Sequence, residues 1–128
     1  MSDLLKAFKA FHANRFDLMT EYGTDLLNAK SDDVEIVYSI DVISAIKKFR
    51  ADEISIHTLV DWVNTLWFDD GLYTYCEEQC DSIASVMTEL ETLDEEGVFF
   101  TDDEYTRMIA ALESNIEFVL RPSSVIRE

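Results

Sequence analysis

The stretch SIHTLVDWVNTL, residues 55–66, decides the fold class that the sequence predicts. Four of its apolar residues follow the i, i+3, i+4, i+7 pattern of one helical face: Leu59, Trp62, Val63 and Leu66. Ser55 precedes the first turn and suits the N-cap, because its hydroxyl can accept a hydrogen bond from a free backbone N–H. The stretch therefore predicts an α-helix that buries one face.

Helical spacing of apolar residues recurs on both sides of this stretch. It predicts one helix over residues 3–21 ending near Gly23, one from Asp32-Asp33 to Arg50, one over residues 77–93 and one from Thr101 through Leu112. Residues 34–43 are rich in β-branched side chains, so a strand is the alternative there. The Thr101–Glu104 pair has the form of a capping box. The tail from Ile116 to Leu120 either extends the last helix or packs as an extended piece.

These patterns predict an all-α fold, a single compact bundle of about five helices formed by residues 1–128 as one domain. The chain of 128 residues fits one domain of ordinary size. It holds three Gly and one Pro, too few breakers for an all-β fold with its frequent turns. Gly97 is expected to close the helix that starts at Glu77.

Negative charge is concentrated in one part of the chain. The formal net charge is −17, and no Lys or Arg occurs between Ala51 and Thr106, where sixteen Asp and Glu residues lie. Charge that merely keeps a protein soluble could be interspersed along the chain. The one-sided distribution favours a negative field directed at a basic partner.

The same charge argues against several other partners. Contact with nucleic-acid phosphates and with anionic membrane surfaces needs basic residues, which are few here. No apolar run approaches the ~20 residues of a membrane span. The start, Met1 to Lys6, has an acid where a signal peptide would be basic. We therefore expect a cytoplasmic protein that binds neither nucleic acid nor membrane directly.

Catalytic motifs are not visible in the sequence. His12 and His57 lie on separate predicted helices, and no nucleophile elbow, phosphate-binding loop or zinc-protease motif occurs. Cys76 and Cys80 are four residues apart without two further zinc ligands at suitable spacing, so core packing is the favoured interpretation. We expect no enzyme activity, no catalytic residue and no cofactor.

A calcium-binding loop is the one metal site for which the sequence offers a candidate. With Gly97 at the sixth position, the ligand series would be Thr92, Asp94, Glu96 and Asp103. Threonine is a poor first ligand, and the twelfth residue is an Asp where the loop requires a bidentate Glu. We therefore expect no metal site.

Aromatic residues and acids alternate between Asp61 and Glu78, a composition typical of protein interfaces. Trp62 lies on the apolar helical face and is expected in the core. Tyr73 and Tyr75 fall in a predicted loop or short extended piece, either as surface anchors or as side chains that close the core. The residues expected at the partner contact are Asp61, Asp69, Asp70, Tyr73, Tyr75, Glu77 and Glu78.

Part of the chain resembles a family of small helical bacterial proteins. The pattern FR-x-x-EISI-x-x-L-x-x-W, residues 49–62, followed by an acidic segment and the capping-box helix through Leu112, is similar to immunity proteins of contact-dependent growth inhibition systems. The resemblance implies a cytoplasmic inhibitor that neutralises one cognate toxin domain, often a nuclease with a basic substrate site.

Two other functions, both based on binding to proteins, stay open as alternatives. An acidic mimic of DNA would inhibit DNA-binding enzymes, and it would need carboxylates spread along one face at duplex-like spacing of ~1.7 Å per charge. A non-catalytic adaptor would use the same acidic surface for another protein. The patchy clustering of the acids favours the immunity protein over the mimic.

Overall fold

The computed structural model describes residues 3–23, 34–67 and 72–118. In chain order the elements are α1 (Asp3–Lys9), α2 (Arg15–Tyr22), β1 (Glu35–Val37), α3 (Ser39–Arg50), α4 (Ile56–Trp67), β2 (Tyr73–Tyr75), a short 3-10 helix (Glu77–Gln79), α5 (Cys80–Leu90) and α6 (Asp102–Ser114). The described part is mostly helical, as predicted. It is not a pure five-helix bundle, because it contains six α-helices and a pair of strands.

Helix α4 follows the prediction closely. Its four patterned side chains are buried: Leu59, Trp62, Val63 and Leu66. At its start, Ser55 Oγ accepts a hydrogen bond from the Thr58 N–H at 3.1 Å, as an N-cap does. The Trp62 indole Nε1–H donates to the Lys9 carbonyl at 3.0 Å, which fixes α4 against the end of α1.

The single helix predicted over residues 3–21 is wrong, because the chain breaks between α1 and α2. Asn14 caps α2: its Oδ1 accepts from the Asp17 N–H and its own N–H donates to Asp17 Oδ2, both at 2.9 Å. Phe11 takes a left-handed backbone conformation with φ 66°. A satisfied capping box therefore outweighs the apolar spacing that runs through it. Gly23 ends α2 as predicted, with φ 99°.

A two-stranded parallel sheet replaces part of the predicted second helix. Glu35, Ile36 and Val37 pair with Tyr73, Thr74 and Tyr75 in register. The strand alternative is confirmed for β1, where Glu35 and Val37 are buried and Ile36 faces out, a period of two. The extended alternative is confirmed for residues 73–75. The fold is therefore mostly helical, as predicted, but it is not a clean all-α bundle, because it includes this small sheet.

Helix α3 begins later than the sequence predicts. Residues 31–33, including Asp32 and Asp33, lie outside the described residues, and α3 starts at Ser39. The Tyr38 N–H donates to Asp41 Oδ2 at 2.8 Å. The basic residues expected at the helix end are in its last turn: Lys47, Lys48 and Arg50.

The predicted helix 77–93 is shorter than expected. Its first turn is the 3-10 helix, and α5 itself runs from Cys80 to Leu90. Core packing of the cysteines is wrong: Cys80 is exposed and Cys76 is half-buried. Helix α5 instead buries Ile83, Val86, Met87 and Leu90.

The capping box of α6 is confirmed. Thr101 Oγ1 accepts from the Glu104 N–H at 3.2 Å, and Glu104 Oε1 accepts from the Thr101 N–H at 2.7 Å. Asn115 ends the helix with a left-handed conformation, φ 56°. Residues 116–118 do not continue α6, which agrees with the extended alternative for this part of the tail.

The core lies between these elements and draws on every helix from α1 to α6. Its largest fully buried side chains are Trp62, Tyr73, Leu5, Leu18, Ile46, Leu59, Leu66, Ile83, Met87, Leu90, Met108 and Leu112. In the described ranges no helix is long and apolar enough to cross a membrane.

Candidate protein-binding surface

The lysines of α1 are neutralised by acids of β1 and α3. Lys9 Nζ lies 2.7 Å from Glu35 Oε2 and 3.1 Å from Asp41 Oδ2, and it donates to the Ile36 carbonyl at 2.8 Å. Lys6 Nζ lies 3.1 Å from Glu35 Oε1. Glu35 is almost fully buried. These cations therefore hold the fold together and are committed to acids of the same chain.

The basic end of α3 also has partners within the protein. Lys48 Nζ lies 3.5 Å from Glu53 Oε1, and an Arg50 guanidinium nitrogen lies 3.3 Å from Asp102 Oδ1. The Arg50 guanidinium also lies 5.6 Å from the centroid of the Tyr105 ring. All of these pairs involve acids next to α3 or at the start of α6.

A different group of acids lies exposed around the start of α5. Glu77 and Glu78 belong to the 3-10 helix, and Asp81 lies in the first turn of α5. Two contacts hold this region against the rest of the fold. The Cys76 N–H donates to the Val37 carbonyl at 2.8 Å, and Gln79 Oε1 accepts from the Ser39 N–H at 2.8 Å.

The segment after α6 adds a fourth acid to this group. Asn115 Nδ2 donates to the Glu78 carbonyl at 2.9 Å, and the Phe118 N–H donates to Ser85 Oγ at 2.8 Å. These bonds bring Glu117 to α5, where it lines a shallow cavity of about 280 Å³ together with Asp81. We call Glu77, Glu78, Asp81 and Glu117 the acidic face.

The carboxylates of the acidic face are not neutralised by the part of the chain that the structure describes. No ion pair is recorded there for any of the four. Glu78 Oε1 accepts a weak hydrogen bond from Cys76 Sγ at 3.4 Å. Ile116 lies beside the face with 59% of its surface exposed. Arg107, whose guanidinium is 5.4 Å from the Phe118 ring centroid, lies at the border of the face.

The structure brings together two of the residues expected at the partner contact and separates others. Glu77 and Glu78 are adjacent and exposed, as expected. Asp61 is exposed on α4, where it lines a groove that includes neither of them. Asp69 and Asp70 lie outside the described residues. Tyr75 is half-buried in β2.

The prediction of Tyr73 as a surface anchor is wrong. Its side chain is fully buried, and its hydroxyl donates to the Leu5 carbonyl at 2.6 Å. Burial raises the pKa of the Tyr73 hydroxyl well above its usual range, and the charge of Glu35 raises it further. The residue closes the core between β2 and α1, which was the alternative interpretation of these tyrosines.

The sequence did not indicate Asp81 and Glu117 as site residues. Asp81 follows Glu77 by four residues, so helical spacing could have placed both on one side. Glu117 carries no local signal, because it reaches α5 through the long-range bonds of Asn115 and Phe118. The missed part of the site therefore depends on tertiary contacts.

The residues considered for chemistry include two exposed histidines. His12 lies in the break between α1 and α2, and His57 lies in the first turn of α4. Among the described residues, no three His, Cys, Asp or Glu side chains are grouped closely enough to hold a metal ion. In the calcium series, Thr92 Oγ1 donates to the Glu89 carbonyl at 2.7 Å, and Asp103 belongs to the first turn of α6.

Comparisons with protein-family models, with curated proteins and with solved structures found no match to this chain.

Proposed function

We propose that this protein binds a basic surface of another protein through its acidic face, and that it acts as an immunity protein. The observation that carries the proposal is the acidic face itself. Exposed acids from the 3-10 helix, α5 and the segment after α6 lie around the start of α5, where Asp81 and Glu117 line one cavity, and none of the four has an ion pair among the described residues. Unpaired charges of one sign are held together against their own repulsion.

An acidic face of this kind favours fast and selective association. A surface of one charge sign steers a partner of the opposite sign and disfavours partners of the same sign. Ile116, exposed beside the carboxylates, supplies apolar area for the centre of such a contact. The electrostatic field of the whole chain, whose net charge is −17, also attracts a basic partner.

The partner that we propose is a cognate toxin domain in the bacterial cytoplasm, with a nuclease as the leading class. A nuclease binds phosphates through basic residues, so its substrate site is complementary to a cluster of carboxylates. The resemblance to immunity proteins covers residues 49–112 and opens with the pattern at residues 49–62, at the end of α3 and in the first half of α4. In this proposal that opening pattern is part of the scaffold, and the acidic face makes the contact. The protein itself carries out no chemical step.

The test begins with the gene immediately upstream of the one that encodes this chain. If that gene encodes a secreted protein, its C-terminal domain is purified and its binding to this chain is measured by biolayer interferometry. We expect a complex, and Glu77→Lys with Asp81→Lys should slow association by about tenfold or more. Co-expression of the unmodified chain should also restore growth to cells that produce the domain.

The matched control is Asp94→Lys with Glu95→Lys, which makes the same change in charge in an exposed turn that follows the end of α5. It should slow association much less. Equal effects of the two double variants would show that overall charge, and not this surface, drives binding. An upstream product that does not bind would contradict the immunity proposal, and capture of generic DNA-binding proteins would favour a DNA mimic.

A further inference from the structure

We infer that the groove beside Asp61 receives a basic side chain of the partner protein, with the Asp61 carboxylate as its counter-ion. This inference rests on the proposed function, since it adds a second contact to the binding of a basic protein. The groove has a volume of about 410 Å³ and lies between the break that separates α1 from α2 and the first half of α4. That volume is within the range of ordinary ligand pockets.

The half-buried Phe11 ring gives the groove its aromatic surface, and the buried Trp62 side chain supports it. Phe11 stacks on Trp62 with ring centroids 5.2 Å apart and planes inclined by 20°. The Trp62 indole is anchored by its hydrogen bond to the Lys9 carbonyl. Phe11 holds its position with a positive φ that bulky residues rarely adopt. Phe8 and Ile54 complete the apolar lining.

Asp61 supplies an uncommitted negative charge at the rim. Among the described residues, no hydrogen bond or ion pair is recorded for its carboxylate, and the residue is exposed. The other acid of the lining, Asp17, already accepts the Asn14 N–H in the cap of α2. A carboxylate beside aromatic rings is the combination that holds a guanidinium or ammonium group, by ion pairing and by cation–π contact.

Arg15 lines the same groove, and its positive charge affects which occupants are attracted. Counted with Asp17 and Asp61, it leaves the rim with an excess of negative charge. An incoming cation is attracted by Asp61 and repelled by Arg15. An incoming anion would experience the reverse. Substitution of these two residues therefore distinguishes the charge of the occupant.

The test uses the full chain with Trp67→Phe, so that Trp62 is its single tryptophan. The Trp62 indole N–H resonance is followed by NMR while N-acetyl-arginine amide is added to millimolar concentrations. We expect a saturable shift. Asp61→Asn should weaken binding by about threefold or more, as expected for loss of one exposed ion pair. Arg15→Gln should strengthen it, and Asp94→Asn, with the same loss of charge elsewhere, should leave it unchanged.

Several results would overturn the inference. An equal shift with N-acetyl-glutamine amide would show that charge is not recognised. Equal effects of Asp61→Asn and Asp94→Asn would show that Asp61 is not the counter-ion. Weaker binding after Arg15→Gln would assign the groove to an anion. Because this titration needs no partner, its failure leaves the acidic face untouched, and failure of the partner assay leaves the groove result intact.

Discussion

The Tyr73 hydroxyl links β2 to α1 through one buried hydrogen bond. Tyr73→Phe removes the donor and leaves the Leu5 carbonyl without it in the core. We expect a loss of about 1–3 kcal/mol in the free energy of unfolding, the usual penalty for a buried polar group that loses its partner. Urea denaturation measures it. Tyr38→Phe is the matched control, because that ring is 42% exposed and its replacement should change stability little. Equal losses would show that the buried bond contributes nothing specific.

The same hydroxyl makes stability depend on alkaline pH. Burial and the charge of Glu35 raise the pKa of Tyr73 in the folded protein. The hydroxyl therefore makes its full contribution to the free energy of unfolding below about pH 10, the pKa of an unfolded tyrosine. That contribution is lost as the pH rises above this value. Unfolding free energies measured from about pH 8 to about pH 11 should fall more steeply for the unmodified protein than for Tyr73→Phe. Parallel curves would contradict this assignment.

Thr101 shows how much one local signal can determine. Thr101→Ala removes the hydroxyl that accepts the Glu104 N–H, so we expect a loss of about 0.5–2 kcal/mol. Thr106→Ala, at an exposed position inside α6, is the control and should cost little, since alanine is the better helix former. Thermal unfolding of the two variants tests the difference, and equal melting temperatures would exclude a stabilising cap.

At the scale of elements, the buried charges of Glu35 and Lys9 connect α1, β1 and α3. Glu35→Gln leaves the largely buried Lys9 with the Asp41 carboxylate and the Ile36 carbonyl but without the charge of Glu35, so we expect a loss of about 1–3 kcal/mol. Glu53→Gln breaks an exposed pair with Lys48 and should cost about 0–1 kcal/mol. Chemical denaturation of both variants gives the comparison. If Glu35→Gln cost less stability than Glu53→Gln, the cost of burying the Glu35 and Lys9 charges would cancel their attraction.

Elements with local signals could be predicted from the sequence, and elements that depend on distant partners could not. Ser55 and Thr101 mark two helix starts correctly because a cap acts within three residues. Asn14 with Asp17 carries the same kind of signal, but the apolar spacing across it favoured one long helix. Strand β1 has only three residues, and its stability comes from β2, which is more than thirty residues away in sequence.

At the scale of the molecule, the unbalanced charge should make stability rise with salt. Like charges repel in the compact state, and the Debye length falls to about 10 Å at 0.1 M salt. We expect a higher melting temperature in sodium chloride at about 150 mM than at about 10 mM. The Asp94→Lys, Glu95→Lys variant carries less net negative charge and should respond less. A melting temperature that is independent of salt would show that the acids are too far apart to repel each other.

The candidate site follows the same division between local and distant information. The charge distribution indicated an acidic contact, and Glu77 and Glu78 were placed in it from the sequence. Tyr73 could not be assigned correctly, because its burial depends on the pairing of β2. Glu117 enters the site because Asn115 and Phe118 are hydrogen-bonded to the 3-10 helix and to α5, and no pattern in residues 115–118 predicts those bonds.

The parallel pairing of β1 and β2 has a consequence for the order of folding. Parallel neighbours need a long crossover, and here α3 and α4 lie between the two strands. Closing that length of chain costs conformational entropy before the strands make any stabilising contact. Helices, in contrast, form their contacts between residues that are close in sequence. We expect α3 and α4 to be formed in the transition state, with φ-values near zero in the strands. The 3-10 helix that carries Glu77 and Glu78 is attached to β2 through Cys76, so this half of the acidic face is completed late in folding.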